Sequence, residues 1–300
     1  MNQKISRFDF IGKRKVWFII SLAVIIVGVA GYFIQGGFNF GIDFLGGSLI
    51  EIEFDSDTDV AQIRSVLEDT GYGSSIIQQT DTNKYIIRIK AEEIGKSLEI
   101  DEKARILDAL DDEIGINPEL LQERTVKPGF GRILIRNALI AIAISLAGIL
   151  IYVWIRFEFR FGATAIVTLA HDVLVTLGVY AILNREINTS TIAALLTIIG
   201  YSLNDTIVVF DRIRENTPQA RSLGYSGVVN QSANMTLSRS INTSITTLFP
   251  IILLLILGTT ALKEFALALT IGIISGTYSS IFFASPMLVV WNNRFPKYKK

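Results

Sequence analysis

Six apolar runs, each long enough to cross a bilayer as a helix, constrain this chain more than any other feature. They are Val16–Ile34, Ile133–Ile155, Ala163–Leu183, Thr189–Phe210, Leu237–Leu257 and Phe265–Trp291. About 20 helical residues span the ~30 Å of hydrocarbon. No water pairs with backbone amides in that layer, so a crossing segment must satisfy its own hydrogen bonds, as a helix does. The runs predict a polytopic α-helical membrane protein with six transmembrane helices. The last run exceeds the minimum length and is expected to tilt or to end in the interface. Mean hydropathy of +0.45 excludes an ordinary soluble domain. The first run starts on basic residues and contains a small-residue Gly28-Val29-Ala30 stretch. It is nevertheless longer than the ~7–15 apolar residues of a signal-peptide core, so it is expected to stay as a span.

Charge sets the expected orientation. Lys4, Arg7, Lys13, Arg14 and Lys15 precede the first run. Arg156, Arg160, Arg212, Arg214, Arg221, Arg294, Lys297, Lys299 and Lys300 fall on the same side, whereas the opposite short loops carry only Arg185 and Lys263. Basic loops stay inside. Residues 1–15 and the basic tail 292–300 are therefore expected in the cytoplasm, with the chain multi-pass in the cell (inner) membrane. Arg132 and Arg136 follow a long translocated segment, where the rule is weak. Net charge is zero, which gives no reason to expect a nucleic-acid partner; the lipid bilayer is the partner that the composition implies. The absence of cysteine excludes disulfides, thiolate metal sites and cysteine nucleophiles. No H-E-x-x-H metal motif occurs, and no cofactor is expected.

Residues 35–132, between the first two runs, are expected outside the membrane as a small α+β domain. Ser48–Phe54 alternates as a strand, and Thr58–Gly71 has helical spacing with Thr58 and Asp59 as cap candidates and Gly71 as the stop. Ser74–Thr80 and Lys84–Lys90 read as a hairpin around Asp81-Thr82-Asn83. Asp101–Gly115 is helical and Leu121–Lys127 a last strand before Pro128-Gly129. The order βαββαβ is ferredoxin-like. The segment opens on Phe38-Asn39-Phe40-Gly41-Ile42-Asp43-Phe44-Leu45-Gly46-Gly47. Gly41, Gly46 and Gly47 permit positive φ or close approach. The entry is expected to be a turn capped by Asp43, or else a contact site for another chain.

The most specific stretch is Gly200–Asn216, G-Y-S-L-N-D-T-I-V-V-F-D-R-I-R-E-N, which sets Asn204 and Asp205 in an apolar run. An ionisable group there costs at least ~2.5 kcal/mol, so such residues are rare and usually functional. Burial favours the protonated carboxylate and a nearby cation the ionised one; a site alternating between these environments binds and releases protons. Arg239 opens the next apolar run, and antiparallel neighbours would bring it to Asp205. It could instead snorkel to the interface. His171 and Asp172 lie mid-run, about 100° apart on a helix, so both cannot face one partner squarely. They are relay or gating candidates, with an interhelical hydrogen bond as the alternative. Ser202, Asn204, Thr206, Asn242, Thr243 and Ser244 either line a polar path or hold helices together. Gly200 and Gly272-x-x-x-Gly276 are expected to permit close helix packing.

The F-N-x-G-I-D-F-x-G-G entry resembles the SecD/SecF family of bacterial protein export. R-F-E-F-R-F-G at Arg156–Gly162, L-A-H-D at Leu169–Asp172, the Gly200–Asn216 stretch and S-R-S-I-N-T-S at Ser238–Ser244 resemble its SecF branch. The match runs through the whole chain in order; Leu45 replaces the polar residue expected in the entry motif. The resemblance implies a subunit that pairs with SecD in the twelve-helix plan of the resistance–nodulation–division transporters. It implies association with the SecYEG channel and use of the proton-motive force to draw a translocating polypeptide outward. It also implies that Asp205 and Arg239 form the proton relay, with a further carboxylate from SecD. Another ion-driven exporter of that superfamily, or a non-transporting scaffold, is the alternative. An intramembrane protease built on Ser202 and His171 is disfavoured, because Leu203 and Asn204 supply no oxyanion environment.

Overall fold

The computed structural model describes residues 8–90, 100–118, 121–126 and 130–296. Lys4, Arg7, Pro128-Gly129, Lys127 at the expected strand end, and Lys297, Lys299 and Lys300 of the basic tail lie outside the described residues. In chain order the elements are α1 (Arg14–Ile34), α2 (Ile42–Leu45), β1 (Gly47–Glu53), α3 (Val60–Asp69), β2 (Ile76–Asp81) and β3 (Lys84–Lys90). Then come α4 (Ile100–Ile114), β4 (Gln122–Val126), α5 (Phe130–Arg156), α6 (Phe159–Ile182) and α7 (Thr189–Asn216). A short 3₁₀ turn, Thr217–Gln219, leads to α8 (Ala220–Leu257), α9 (Thr260–Tyr278), a π-helical segment (Ser279–Ala284) and α10 (Ser285–Arg294). The chain divides into two compact units, one of Met1–Asn39 with Ala141–Lys300 and one of Phe40–Ile140.

The first unit is helical. Five stretches of the described residues are long and apolar enough to cross a membrane: Arg14–Ile34, Phe130–Val153, Phe159–Ile182, Thr189–Leu257 and Ala261–Arg294. The fourth comprises two helices, α7 and α8, which pack on each other. Both outrun the apolar segments that announce them. The extension is held by contacts that hydropathy does not register. Ile213, Val228, Val229 and Ala233 are fully buried, and Asn216 Nδ2 donates to Ser232 Oγ at 3.0 Å. Within α8, Gly224 breaks the helix at φ 71°, ψ 156°, a conformation essentially reserved for glycine.

The last run, expected to tilt or to end in the interface, lies within one long stretch, Ala261–Arg294, that is helical throughout but not uniformly α-helical. A π segment interrupts it at Ser279–Ala284, and Pro286 sits in the first turn of α10. Proline gives no N–H to the preceding turn, and π turns concentrate at functional sites. Helices close where side chains vanish. A Cβ on Gly28 of α1 would stand 2.7 Å from Gly178 Cα of α6, and one on Gly276 of α9 would stand 3.0 Å from Ser202 Cβ of α7. Gly272 likewise abuts Ile198. The expected packing role of Gly200 is not found: it is exposed, with nothing within 4 Å of a Cβ there. Its side of α7 is turned away from α9.

The second unit follows the order β-α-β-β-α-β, preceded by the short α2. Its four strands form an antiparallel sheet in the order β2-β3-β1-β4. Alternation along β1 buries Ile50 and Ile52; Ile87 and Ile89 of β3, Ile63 and Leu67 of α3, and Ile106 and Leu110 of α4 complete the core. Asp59 caps α3 in a capping box with Gln62. Thr58, the other cap candidate, accepts the buried Tyr85 hydroxyl on its carbonyl instead. Burial, then the nearby charges of Asp59 and Asp57, push the Tyr85 phenol above its ordinary value. Asn83 closes the β2–β3 hairpin at φ 59°.

Candidate functional site

On α7, residues 202, 205, 206 and 209 share one face by the i, i+3, i+4, i+7 spacing, and all four are buried. Asp205 points inward there, 9% exposed. Its Oδ1 accepts from Ser240 Oγ of α8 at 2.6 Å, and its Oδ2 from Ser280 Oγ of the π segment at 2.5 Å. Two neutral hydroxyls from two different helices therefore hold the carboxylate. Asn204, one position away, lies on the exposed side. The hydroxyl of Thr206 is buried beside the site and has no hydrogen-bond partner among the described residues.

Arg239 does not pair with Asp205. It is exposed, and no carboxylate of the described residues comes within ion-pair distance of it. The reason is helical phase: Ser240, the next residue, occupies the inward position that the antiparallel argument gave to Arg239. On α8 the hydroxyls of Ser240 and Ser244 face inward. Arg239, Asn242, Thr243 and Thr246 face outward together, at i, i+3, i+4 and i+7. Of the expected polar lining, Ser202, Thr206 and Ser244 belong to the interior and Asn204, Asn242 and Thr243 to the outer face.

A second carboxylate is buried more completely. Asp172 of α6 is 0% exposed and accepts from three serines: Ser202 Oγ at 2.5 Å, Ser275 Oγ at 2.7 Å and Ser279 Oγ at 2.8 Å. His171 folds back beside it, with Nδ1 3.0 Å from Asp172 Oδ1. The two neighbours thus solve the problem of pointing apart: Asp172 faces α7 and α9, and His171 bonds to Asp172 itself. Ser202 donates to Asp172 and not to His171, so no Ser–His dyad forms.

The entry motif has its own geometry in the second unit. Gly46 and Gly47 have φ of 75° and 138°, the region that favours glycine. Asp43 does not cap the entry turn. It lies in the first turn of α2, buried, 2.9 Å from Arg124 of β4. Gly41 takes the N-cap position in ordinary extended geometry. Gly131 lies against the Phe44 carbonyl so closely that a Cβ would overlap it.

Sequence reasoning passed over Ser240, Ser275, Ser279 and Ser280, which supply most of the donors. A signal was present: serines at positions 275, 279 and 280 recur at helical spacing in an apolar run. Serine is common enough in packed membrane helices that the spacing alone names no partner.

Residues 106–294 match the family described as protein export membrane protein SecD/SecF, C-terminal, and residues 32–58 match the SecD/SecF GG motif. The protein translocase subunit SecF of Petrotoga mobilis is 38% identical, over 97% of this chain and 98% of its own length. That of Thermodesulfovibrio yellowstonii is 40% identical, over 95% of each. The protein translocase subunit SecDF of Thermus thermophilus is 39% identical over 96% of this chain, which spans only 39% of that longer protein. The crystal structure of SecDF, a translocon-associated membrane protein from Thermus thermophilus, superposes with a TM-score of 0.86 at 38% identity. It covers 98% of this chain and 40% of that one. A SecDF structure in a super-membrane-facing form superposes at 0.70.

Proposed function

The chain belongs to the SecD/SecF family of protein-export membrane proteins, on the SecF side, and from that premise we propose that it couples proton entry at Asp205 to polypeptide export. It is a multi-pass membrane subunit of the Sec export machinery, a transport subunit and not an enzyme. In our reading α7 and α8 each cross the bilayer, which makes six spans, with both termini in the cytoplasm. The α+β unit is then a ferredoxin-like domain on the outer face.

The observation that carries the coupling is the setting of Asp205. Its carboxylate is buried, yet it is held by Ser240 and Ser280 alone among the described residues, with no bound cation side chain. A proton added there breaks no ion pair. It turns two accepted hydrogen bonds into a neutral network whose hydroxyls must reorient. Those hydroxyls come from two helices, so the proton's arrival is felt in their packing.

SecD is the partner we assign. The outer face of α8 carries Arg239, Asn242, Thr243 and Thr246, and a polar stripe of that kind is costly against lipid. Another protein's polar groups would relieve it. Fused SecDF relatives supply additional chain beyond the region this sequence matches. In this reading Arg239, exposed on that stripe, meets a carboxylate of the partner. The SecYEG channel and the translocating polypeptide complete the assembly in this reading.

Membrane vesicles with an imposed proton gradient provide the test. Asp205→Asn is expected to abolish gradient-dependent export while SecD still copurifies. Unchanged export in that variant would reject the coupling.

A further inference from the structure

We propose that residues 8–12, which precede α1, form a releasable seal over the inner side of the Asp205 site. The inference rests on the proton-driven reading above and on the cytoplasmic placement of the N-terminus, and its failure is separable from theirs.

The first observation is how the segment is held. Residues 8–12 belong to no helix or strand, yet Phe10 and Ile11 are only 3% and 4% exposed. Two asparagines of α8, one turn apart, grip the backbone. Asn230 Oδ1 accepts from the Phe10 N–H at 2.8 Å, and its Nδ2 donates to the Phe8 carbonyl at 3.1 Å. Asn234 Oδ1 accepts from the Phe8 N–H at 3.0 Å, and its Nδ2 donates to the same carbonyl at 2.8 Å. A carboxamide carries donors and an acceptor, as a peptide group does, so the pair offers this segment what a neighbouring strand would. Asp9 closes the segment on itself by accepting from the Gly12 N–H at 2.7 Å. The bonds at Phe8 lie on an exposed edge, where water replaces them when the segment lifts.

The second observation is what the segment covers. Phe10 and Ile11 join the apolar core that contains Val209 and Phe210 of α7, Ala233 of α8 and Ile281 of the π segment. Val209 follows Asp205 by one turn on the same buried face of α7. Ala233 lies in the turn that carries Asn230 and Asn234 and is fully buried. The Phe10 ring meets Phe282 edge-on at 5.2 Å, and Trp17 meets the same ring at 4.7 Å. Trp17 Nε1 donates to the Phe10 carbonyl at 3.0 Å. Phe282 belongs to the π segment, whose Ser280 donates to Asp205. The segment therefore bears directly on the piece of helix that helps to hold the carboxylate.

Seated, residues 8–12 complete an apolar layer between Asp205 and the inner end of the bundle. Lifted, they uncover Ala233 and the Phe282 ring and open a route between α7, α8 and the π segment. A water molecule admitted there accepts the Asp205 proton, and the carboxylate keeps the electron pair. Reseating closes the inner side before the next proton arrives. Coupling requires that closure, because a carboxylate open to both sides at once would dissipate the gradient without moving a polypeptide.

The chain has no cysteine, so introduced thiols report directly. Ala233→Cys is placed in the full chain, coexpressed with SecD, and inverted membrane vesicles are treated with a membrane-impermeant maleimide. Labelling is expected to be slow at rest and faster under an imposed proton gradient. Asn230→Ala with Asn234→Ala is expected to speed labelling at rest about tenfold or more, the order set by the loss of several side-chain hydrogen bonds. An unchanged rate in either comparison would overturn the proposal. A second measurement serves should the double variant fail to fold. Phe8→Cys and Asn234→Cys are bridged by a short, reducible bifunctional thiol reagent, which fixes the segment in its seat. Bridging is expected to stop gradient-driven export, and reduction to restore it. Full export with the bridge complete would overturn the seal even where Asp205→Asn abolishes export. Normal export by Asp205→Asn would instead reject the coupling on which the seal rests.

Discussion

Ser279 and Ser280, consecutive residues of the π segment, donate to different carboxylates: Ser279 to Asp172 at 2.8 Å and Ser280 to Asp205 at 2.5 Å. One helical irregularity therefore ties both buried acids together. A regular α-helix turns adjacent residues about 100° apart, and here the two carboxylates occupy the two directions.

Removal of these hydroxyls should have unequal consequences. Ser280→Ala leaves Asp205 with Ser240 alone, whereas Ser279→Ala leaves Asp172 with Ser202, Ser275 and His171. A hydrogen bond to a charged group is worth about 1.5–3 kcal/mol. Ser280→Ala should fall at the upper end of that range and Ser279→Ala at or below the lower. Thermal unfolding of the purified chain measures both. The double variant should depart from additivity, because both residues lie in one segment.

Gly224→Ala should destabilise the start of α8. At φ 71° and ψ 156° an alanine is strained by about 1–3 kcal/mol, and no contact stands within 4 Å to be gained. Hydrogen exchange across residues 217–232 should rise in this variant while α1 and α6 keep their protection. Equal exchange in both chains would show that the segment adapts.

Most of the fold is legible in the sequence, and the reasons differ by element. Apolar runs revealed the helices, because lipid leaves few other solutions. Alternation in β1, the hairpin signal around Asp81-Thr82-Asn83 and the cap candidates Thr58 and Asp59 marked the α+β unit. The ends of α7 and α8 were not legible, because Asn216 and Ser232 extend the helices by pairing with each other, which hydropathy counts as polar cost. The π segment was also hidden: Ser279 and Ser280 look like ordinary small residues until two carboxylates claim them. At the site, burial of Asp205 and Asp172 was foreseeable from their apolar surroundings. The phase of α8 was not, and one residue of phase separates an Arg239 ion pair from a Ser240 hydrogen bond.

The approach of α1 to α6 at Gly28 and Gly178 sets two glycine effects against each other. Alanine in a helix interior is favoured over glycine by about 1 kcal/mol. At Gly28, however, the added Cβ meets Gly178 Cα at 2.7 Å, backbone that has no rotamer to yield. Overpacking costs about 1–3 kcal/mol, so the clash should win and Gly28→Ala should lower the melting temperature. Gly200→Ala, with open space around it, is the control and should be neutral or stabilising.

Tyr85 predicts an alkaline limit for the α+β unit. Its phenol is raised above the ordinary tyrosine value by burial and by Asp59 and Asp57, and it donates to the Thr58 carbonyl. The folded state therefore holds this proton more tightly than the unfolded state. The resulting stability is complete below the ordinary value of ~10 and is lost as pH rises through the higher folded value. Hydrogen exchange at β3 should accelerate over that window. Tyr85→Phe should remove this alkaline dependence, at the expense of lower stability at neutral pH from the unpaired carbonyl.

Arg239 separates a partner contact from a simple interface anchor. Its side chain is exposed in this chain and bonds no carboxylate of the described residues. Removal should therefore leave the isolated chain's stability within about 0.5 kcal/mol, as for other surface positions. If Arg239 meets a carboxylate of SecD, as we propose, Arg239→Ala should abolish gradient-driven export. Arg239→Lys should restore only part of it, because lysine keeps the charge but loses the planar fork that grips a carboxylate at two points. If the side chain only snorkels, alanine should export normally and lysine should be indistinguishable from the native chain. Export by Arg239→Ala at the native rate, with its melting temperature unchanged, would remove Arg239 from the relay and leave Asp205 with its serines alone.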